Sequence, residues 1–307
     1  MTETLQANTE TLASTGAVSE PHHSYTSLNT YLNVCQLQYY YRYVEKAQPE
    51  RTAVALPFGT AMHEALSRQA QAAKSGKLLP AKELLDAFAV FFRANCDAAE
   101  NLVFRREETY DDQIDLAARM FETVTKEWVD YYNIRSVAEP FRMELPGLSR
   151  PLVGELDMVV TETTPFDEQG DAPRPVVVDF KTASRSWSED QPHRALQATV
   201  YAYGYREKHG VTPSCRFDVI TKTKQPKVQH LRTVRGEDSF LRLEKLLVAA
   251  DRAIQAGVFL PSETSFACGD CPFAGRCADW HCETSRRISL PPQDIQAIQP
   301  PQYRVAV

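Results

Sequence analysis

Two apolar runs near the middle of the chain each carry an acid: G-E-L-D-M-V-V at residues 154–160 and V-V-V-D-F-K-T at 176–182. Runs this rich in β-branched residues, bounded by turn-forming segments, read as strands. The two-residue period of a strand then puts Asp179 and Lys181 on one face. A helix is expected from about Gln191 to Lys208, ended by Gly210, in which Gln197 and Tyr201 lie one turn apart. Asp157 and Asp179 supply hard anionic oxygens suited to Mg²⁺ or Mn²⁺. The backbone carbonyl of Phe180 points opposite to the neighbouring side chains and adds another oxygen. Two acids sharing a divalent cation, with an ammonium alongside, are the equipment of phosphodiester hydrolysis. The cation polarises phosphoryl oxygens and activates water, while Lys181 offsets the developing charge.

The surrounding pattern sets these strands in a mixed fold. Residues 1–24 are rich in Thr, Ser, Ala and Glu without a period, and read as a mobile tail. A short helix capped by Ser27 is expected next, with Leu28, Tyr31, Leu32 and Cys35 on one stripe. Three longer helices follow: one after Pro57 with Phe58, Met62, Ala65 and Leu66 inward, one over 81–98 and one over 111–133. The character changes near Pro140. Strands are expected at 141–145, 152–161 and 175–182, the last two joined as a hairpin by a polar loop. Residues 215–222 and 227–234 form a second hairpin turned at Gln225 and Pro226. An amphipathic helix at 237–256 is capped by Gly257. Helices, then a small mixed sheet with a crossing helix, make an α/β (α+β) core with a helical N-terminal insertion and a cysteine-rich C-terminal segment. One domain over 25–285, with tails at 1–24 and 286–307, accounts for the chain.

The formal net charge of −6 excludes a global basic field, so any surface for nucleic acid must be local. One block fits: Lys222, Lys224, Lys227, Arg232 and Arg235 run through the second hairpin without an intervening acid. It reads as a phosphate-tracking edge or as a solvated hairpin. Tyr39, Tyr40, Tyr41 and Tyr43 flank Arg42, and one or two are available to stack on single-stranded bases. No apolar run is long enough to span a bilayer, and the N-terminus lacks a signal pattern, so the expected location is cytoplasmic. No nucleotide-binding P-loop motif is present, so no motor is expected.

Cysteine usage points to a metal. Seven cysteines are too few for a disulfide scaffold at this length, and three are clustered as Cys268-x2-Cys271-x5-Cys277. Three thiolates need a fourth ligand, and two candidates exist. Cys282 lies close by and would make a local zinc knot. Cys35 is distant, in the Tyr-rich N-terminal helix. Cys96 and Cys215 read as ordinary thiols, and Glu64 and Glu155 as structural or supporting acids.

The order of parts (a helix with His63 in G-T-A-M-H-E, a strand with Asp157, a strand with Asp179-x-Lys181, a helix with Gln197-x-x-x-Tyr201) resembles the RecB-like branch of the PD-(D/E)XK nucleases. That resemblance implies a restriction-endonuclease-like core, with His63, Asp157 and Asp179 as metal ligands. It implies Lys181 as the catalytic lysine and Gln197 and Tyr201 as positioning residues. It further implies a [4Fe–4S] cluster on Cys35, Cys268, Cys271 and Cys277, as in AddB-type and CRISPR-associated adaptation exonucleases. The implied activity is a DNA exonuclease acting on single-stranded ends, alone or beside a helicase, recombination factor or CRISPR integration complex. A DNA-binding scaffold without turnover and a structure-selective endonuclease are the alternatives.

Overall fold

The computed structural model describes residues 20–105, 107–128, 133–162 and 174–287, with side chains to residue 282. A two-residue strand β1 (His23–Ser24) leads into helix α1 (Tyr25–Asn29). The cap of α1 is Ser24, not Ser27. Ser24 Oγ accepts from Ser27 N, and Ser27 Oγ accepts from Ser24 N, a reciprocal capping box. Residues 23 and 24 therefore belong to the folded sheet and not to a tail, and His23 is buried. The rest of the expected tail lies largely outside the described residues. Two i→i+5 helical turns, Thr30–Val34 and Tyr40–Val44, flank the short helix α2 (Gln36–Tyr39).

A ribbon of β2 (Thr52–Ala53) and β3 (Leu102–Val103) brackets the helices α3 (Ala55–Lys74) and α4 (Ala81–Ala98), and α5 (Tyr110–Glu127) follows. Helix α5 stops short of the expected 133, because Trp128 is extended; Tyr131 and Tyr132 lie outside the described residues. The main sheet is built from β4 (Ile134–Met143), β5 (Leu152–Glu162), β6 (Arg174–Ala183), β7 (Ser214–Thr221) and β8 (Val228–Thr233) together with β1. Strand β4 begins well before the expected 141. It pairs only with β5, and an edge strand tolerates Pro140 in its ladder. Helices α6 (Gln191–Arg194) and α7 (Leu196–His209) carry the chain from β6 to its parallel neighbour β7. Helix α8 (Glu237–Gln255) follows β8, and α9 (Ala274–Arg287) closes the described chain.

The result is three layers around a mixed sheet, the α/β class expected. Helices α3, α4 and α5 pack Phe58, Phe88 and Phe121 on one face, against Met158, Val178 and Phe180. Helices α7 and α8 pack Val200, Tyr203, Leu243 and Leu247 on the other, against Leu156, Val159 and Phe217. No helix among the described residues is long and apolar enough to cross a membrane.

Two irregularities in β5 position the site. Strands β5 and β6 are antiparallel, and their ladder runs from Glu162 opposite Arg174 to Met158 opposite Val178, then stops. The next rung, Asp157 opposite Asp179, is open. The face alternation of β5 also slips there: Leu156 packs with α7 and α8, yet Met158 packs with α3 to α5. Opposite Asp157 on β4, between Val137 and Glu139 in the register, stands Ala138 with φ 51°, a left-handed residue within the strand. Where two strands part and the alternation of one slips, side chains from both faces of the sheet reach one place.

Candidate active site and cysteine cavity

At the open rung, Phe180 N donates to Asp157 Oδ2 at 2.8 Å in place of a ladder carbonyl. His63 arrives from α3, with Nδ1 3.3 Å from the same oxygen. Burial pushes the imidazole down, but the hydrogen bond and charge of Asp157 outweigh it, and the net shift is upward. Asp179 is buried. Its Oδ1 accepts from Gln197 Nε2 at 2.7 Å, and that amide nitrogen lies 2.9 Å from Tyr201 Oη. Its Oδ2 lies 2.6 Å from Lys181 Nζ. This is a charge contact only: the oxygen is fully enclosed and accepts no well-formed hydrogen bond. Burial raises the Asp179 carboxyl, Lys181 draws it down and Asp157 pushes it up again, leaving it at about 6.

Hence His63, Asp157, Asp179, Lys181, Gln197 and Tyr201 meet around the open rung of β5 and β6. Among the described residues no three His, Cys, Asp or Glu side chains converge on a point as ligands of a single ion. Here His63 turns to Asp157 while Lys181 occupies Asp179. The donor set nonetheless suits a hard divalent cation: carboxylates from two strands, one with an enclosed oxygen lacking a hydrogen bond, and an imidazole.

Packing beneath the site explains a glycine pair. A Cβ on Gly154 would meet Phe141 Cζ at 2.5 Å, and one on Gly204 would meet Phe141 Cδ2 at 2.5 Å. The Phe141 ring therefore slides between strand and helix and meets Tyr201 edge-on, with centroids 5.9 Å apart. Tyr25, which sequence reasoning passed over, meets Tyr201 from α1 at 6.4 Å. Burial and the charge of Asp179 push its phenol up to about 12. The capping-box spacing Ser24-x-x-Ser27 was the available signal for the segment that carries it.

The basic hairpin divides. Lys222 is half-buried with Nζ 5.5 Å from the centre of the Phe58 ring, and its pKa is lowered by burial first. Lys224 and Lys227 are exposed. Arg232 is paired with Glu162. Arg235 is withdrawn from the edge: it donates to Thr199 Oγ1 at 2.8 Å and to the carbonyls of Pro192 and Ala195 at 2.9 and 3.0 Å. It ties the end of β8 to the start of α7. Within the tyrosine run Tyr39 and Tyr41 are buried and structural, while Tyr40 and Tyr43 are half-buried.

Cys35, Cys268, Cys271 and Cys277 line one cavity of about 220 Å³, with Gln38 and His281 also on its wall. Cys35 reaches it because the backbone between the first i→i+5 turn and α2 is extended, with φ −168° and ψ 127°. Gln38 Nε2 lies 3.7 Å from Cys271 Sγ. Burial, followed by the nearby Cys35 and Cys271 thiols, raises Cys277. Cys282 is exposed and is not among the residues lining this cavity. Cys215 is buried and donates to Ala198 O, and Cys96 packs beside the α3–α5 core. Glu50 fastens the cysteine segment to the body by accepting from Gly275 N and Arg276 N at 2.9 and 3.0 Å.

The sequence profile of the PD-(D/E)XK nuclease superfamily matches residues 22–278. A crystal structure from Eubacterium rectale, of a protein provisionally named an exonuclease, superposes with a TM-score of 0.53 at 12% identity, covering 87% of this chain and 94% of that one. The protein SSO0001 gives a TM-score of 0.32 at 10% identity over 81% of this chain and 92% of its own, too low to establish a common fold. None of the curated proteins matches.

Proposed function

Because the chain belongs to the PD-(D/E)XK nuclease superfamily, we propose that it is a metal-dependent DNA exonuclease of the RecB-like, iron–sulfur type, acting on single-stranded ends. The observation that carries this reading is the open rung of β5 and β6, where Asp157 and Asp179 stand opposite each other with Lys181 and Gln197 on the second. His63, Asp157, Asp179 and the Phe180 carbonyl would hold a divalent cation, which would supply Lewis-acid polarisation of the phosphoryl oxygen and an activated water. The chain's own groups complete the chemistry. Lys181 places its ammonium against the phosphoryl oxygens as their charge grows. Gln197 fixes the orientation of Asp179, and Tyr201, wedged by Phe141, fixes Gln197. Lys222, Lys224 and Lys227 provide a phosphate-tracking edge beside the ends of β6 and β7.

For the cysteine cavity we prefer a [4Fe–4S] cluster to a zinc knot, because Cys35 is on its wall and Cys282 is not. The cluster would clip the segment at Cys35 to the segment at 268–277, bracing the entry face without taking part in hydrolysis.

A time course on end-labelled single- and double-stranded DNA with Mg²⁺ and Mn²⁺ tests the activity. Progressive shortening of single strands, abolished in Asp179→Ala with DNA binding largely retained, is the expected result. Cutting of covalently closed single-stranded circles at a similar rate would replace the exonuclease with an endonuclease. Residual cleavage in Asp179→Ala equal to wild type would displace the site altogether.

A further inference from the structure

The row of contacts that starts at Asp179 does not end at Tyr201. Gln197 lies between Asp179 and Tyr201, and Tyr25 stands edge-on to Tyr201 with an interplanar angle of 67°. Tyr25 opens α1, immediately after its cap. The preceding residues pair in parallel with β5, His23 opposite Leu152 and Ser24 opposite Val153. That is the strand that carries Asp157 four residues later.

The segment is fixed from several sides. His23 is buried with Nε2 2.9 Å from Asp251 Oδ1. Asp251 Oδ2 accepts from Ser149 N at 2.8 Å, and Ser149 Oγ donates to Asp251 Oδ1 at 2.8 Å. The Ser24–Ser27 capping box holds the first turn. This is more anchoring than a two-residue strand and a five-residue helix would otherwise have, and it sets the Tyr25 ring against Tyr201, whose hydroxyl lies 2.9 Å from the Gln197 amide that holds Asp179.

Among the described residues the hydroxyl at the end of the Tyr25 side chain has no hydrogen-bond partner. Tyr31 and Tyr41, which pin the cysteine lobe, end on the carbonyls of Val258 and Arg276. Tyr25 makes no hydrogen bond among the described residues, and it is neither fully buried nor fully exposed. A neutral phenol is a donor that neither competes with a cation for the carboxylates nor adds charge beside Lys181. A phosphodiester next to Asp179 offers the acceptor it lacks.

We propose that Tyr25 is a further substrate-positioning residue, donating its phenolic O–H to a non-bridging oxygen of the phosphodiester held beside Asp179 and Lys181. The inference rests on the nuclease reading above. It identifies the substrate atom contacted and gives the N-terminal anchor a purpose: the clamp of His23 on Asp251 sets the height of the Tyr25 hydroxyl at the rim of the site.

Tyr25→Phe tests this, because it keeps the ring and its contact with Tyr201 and removes only the hydroxyl. Loss of a hydrogen bond to a charged oxygen is expected to lower kcat/KM on end-labelled single-stranded DNA roughly 10- to 100-fold. The thermal unfolding midpoint should not change. A second readout separates contact from packing. Sulfur replacing the contacted oxygen at the scissile linkage, one diastereomer at a time, slows wild type more than it slows Tyr25→Phe. Wild-type rates and identical sulfur effects in Tyr25→Phe would overturn the assignment while leaving the nuclease reading intact. Absence of cleavage by the wild-type protein with every metal would overturn both.

Discussion

Gln197 donates an amide N–H to Asp179 Oδ1 across 2.7 Å, from the first turn of α7 to the middle of β6. The bond favours the ionised carboxylate, since an amide N–H has more to gain from a charged acceptor. Gln197→Leu removes that donor and leaves the oxygen enclosed. The acid limb of the pH–rate profile should move upward, by about half a unit to one unit. A limb that stays in place in this variant would show that Gln197 does not act through Asp179.

Cation binding should respond to pH with a defined sign. The Asp179 carboxyl titrates at about 6 in the fold against an ordinary 3.8. The folded protein thus holds this proton more tightly than the unfolded chain does. The group's contribution to stability is present below 3.8 and is lost as pH rises through about 6. Affinity for the cation runs the other way, because the proton must leave. Mn²⁺ binding by calorimetry should weaken steeply below that pKa, where Asp179 and His63 both hold protons, and level off only above the raised pKa of His63, with proton release detected by changing the buffer. Equal affinity at acid and neutral pH would contradict it.

Gly204→Ala should be costly although it occurs in a helix, where alanine is ordinarily preferred. Its Cβ would lie 2.5 Å from Phe141 Cδ2. We expect a loss of about 1–3 kcal/mol in urea unfolding from overpacking. Gly59→Ala, in α3 with nothing within 4 Å of the added Cβ, is the control and should be neutral or stabilising.

The thiol site predicts an asymmetry between two cysteines. In anaerobically purified protein, Cys35→Ala should abolish a broad absorbance near roughly 400 nm and lower the unfolding midpoint, whereas Cys282→Ala should change neither. Colourless wild-type protein with stoichiometric zinc, lost on Cys282→Ala, would return the site to a zinc knot.

Within the basic hairpin, Lys224 and Lys227 should behave unlike Arg235. Replacing both lysines with alanine should reduce the salt slope of single-strand binding by about 1.4, near 0.7 per phosphate contact, with folding unaffected. Arg235→Ala breaks bonds to Thr199, Pro192 and Ala195. It should destabilise the fold by about 2–4 kcal/mol in chemical denaturation.

Periodicity made much of this protein legible. Strand alternation put Asp179 beside Lys181 and helical spacing put Gln197 beside Tyr201, because such neighbours follow from local backbone geometry. Apolar stripes marked α3, α4 and α8 closely for the same reason. Strand β1 was hidden because two residues have no period. Ser24 and Ser27 are both good caps three residues apart, so residue type alone does not choose between them.

The amino-acid sequence by itself determined which side chains share a face and that carboxylates and an ammonium would lie close on one sheet. Only the tertiary structure decided that the ladder of β5 and β6 opens at Asp157 and that the face alternation of β5 slips there. The same holds for His63 and Tyr25 reaching the site from separate elements, and for Arg235 being spent on carbonyls. These depend on contacts between residues far apart in the chain, whose geometry is set by the packing of whole layers and leaves no local pattern to read.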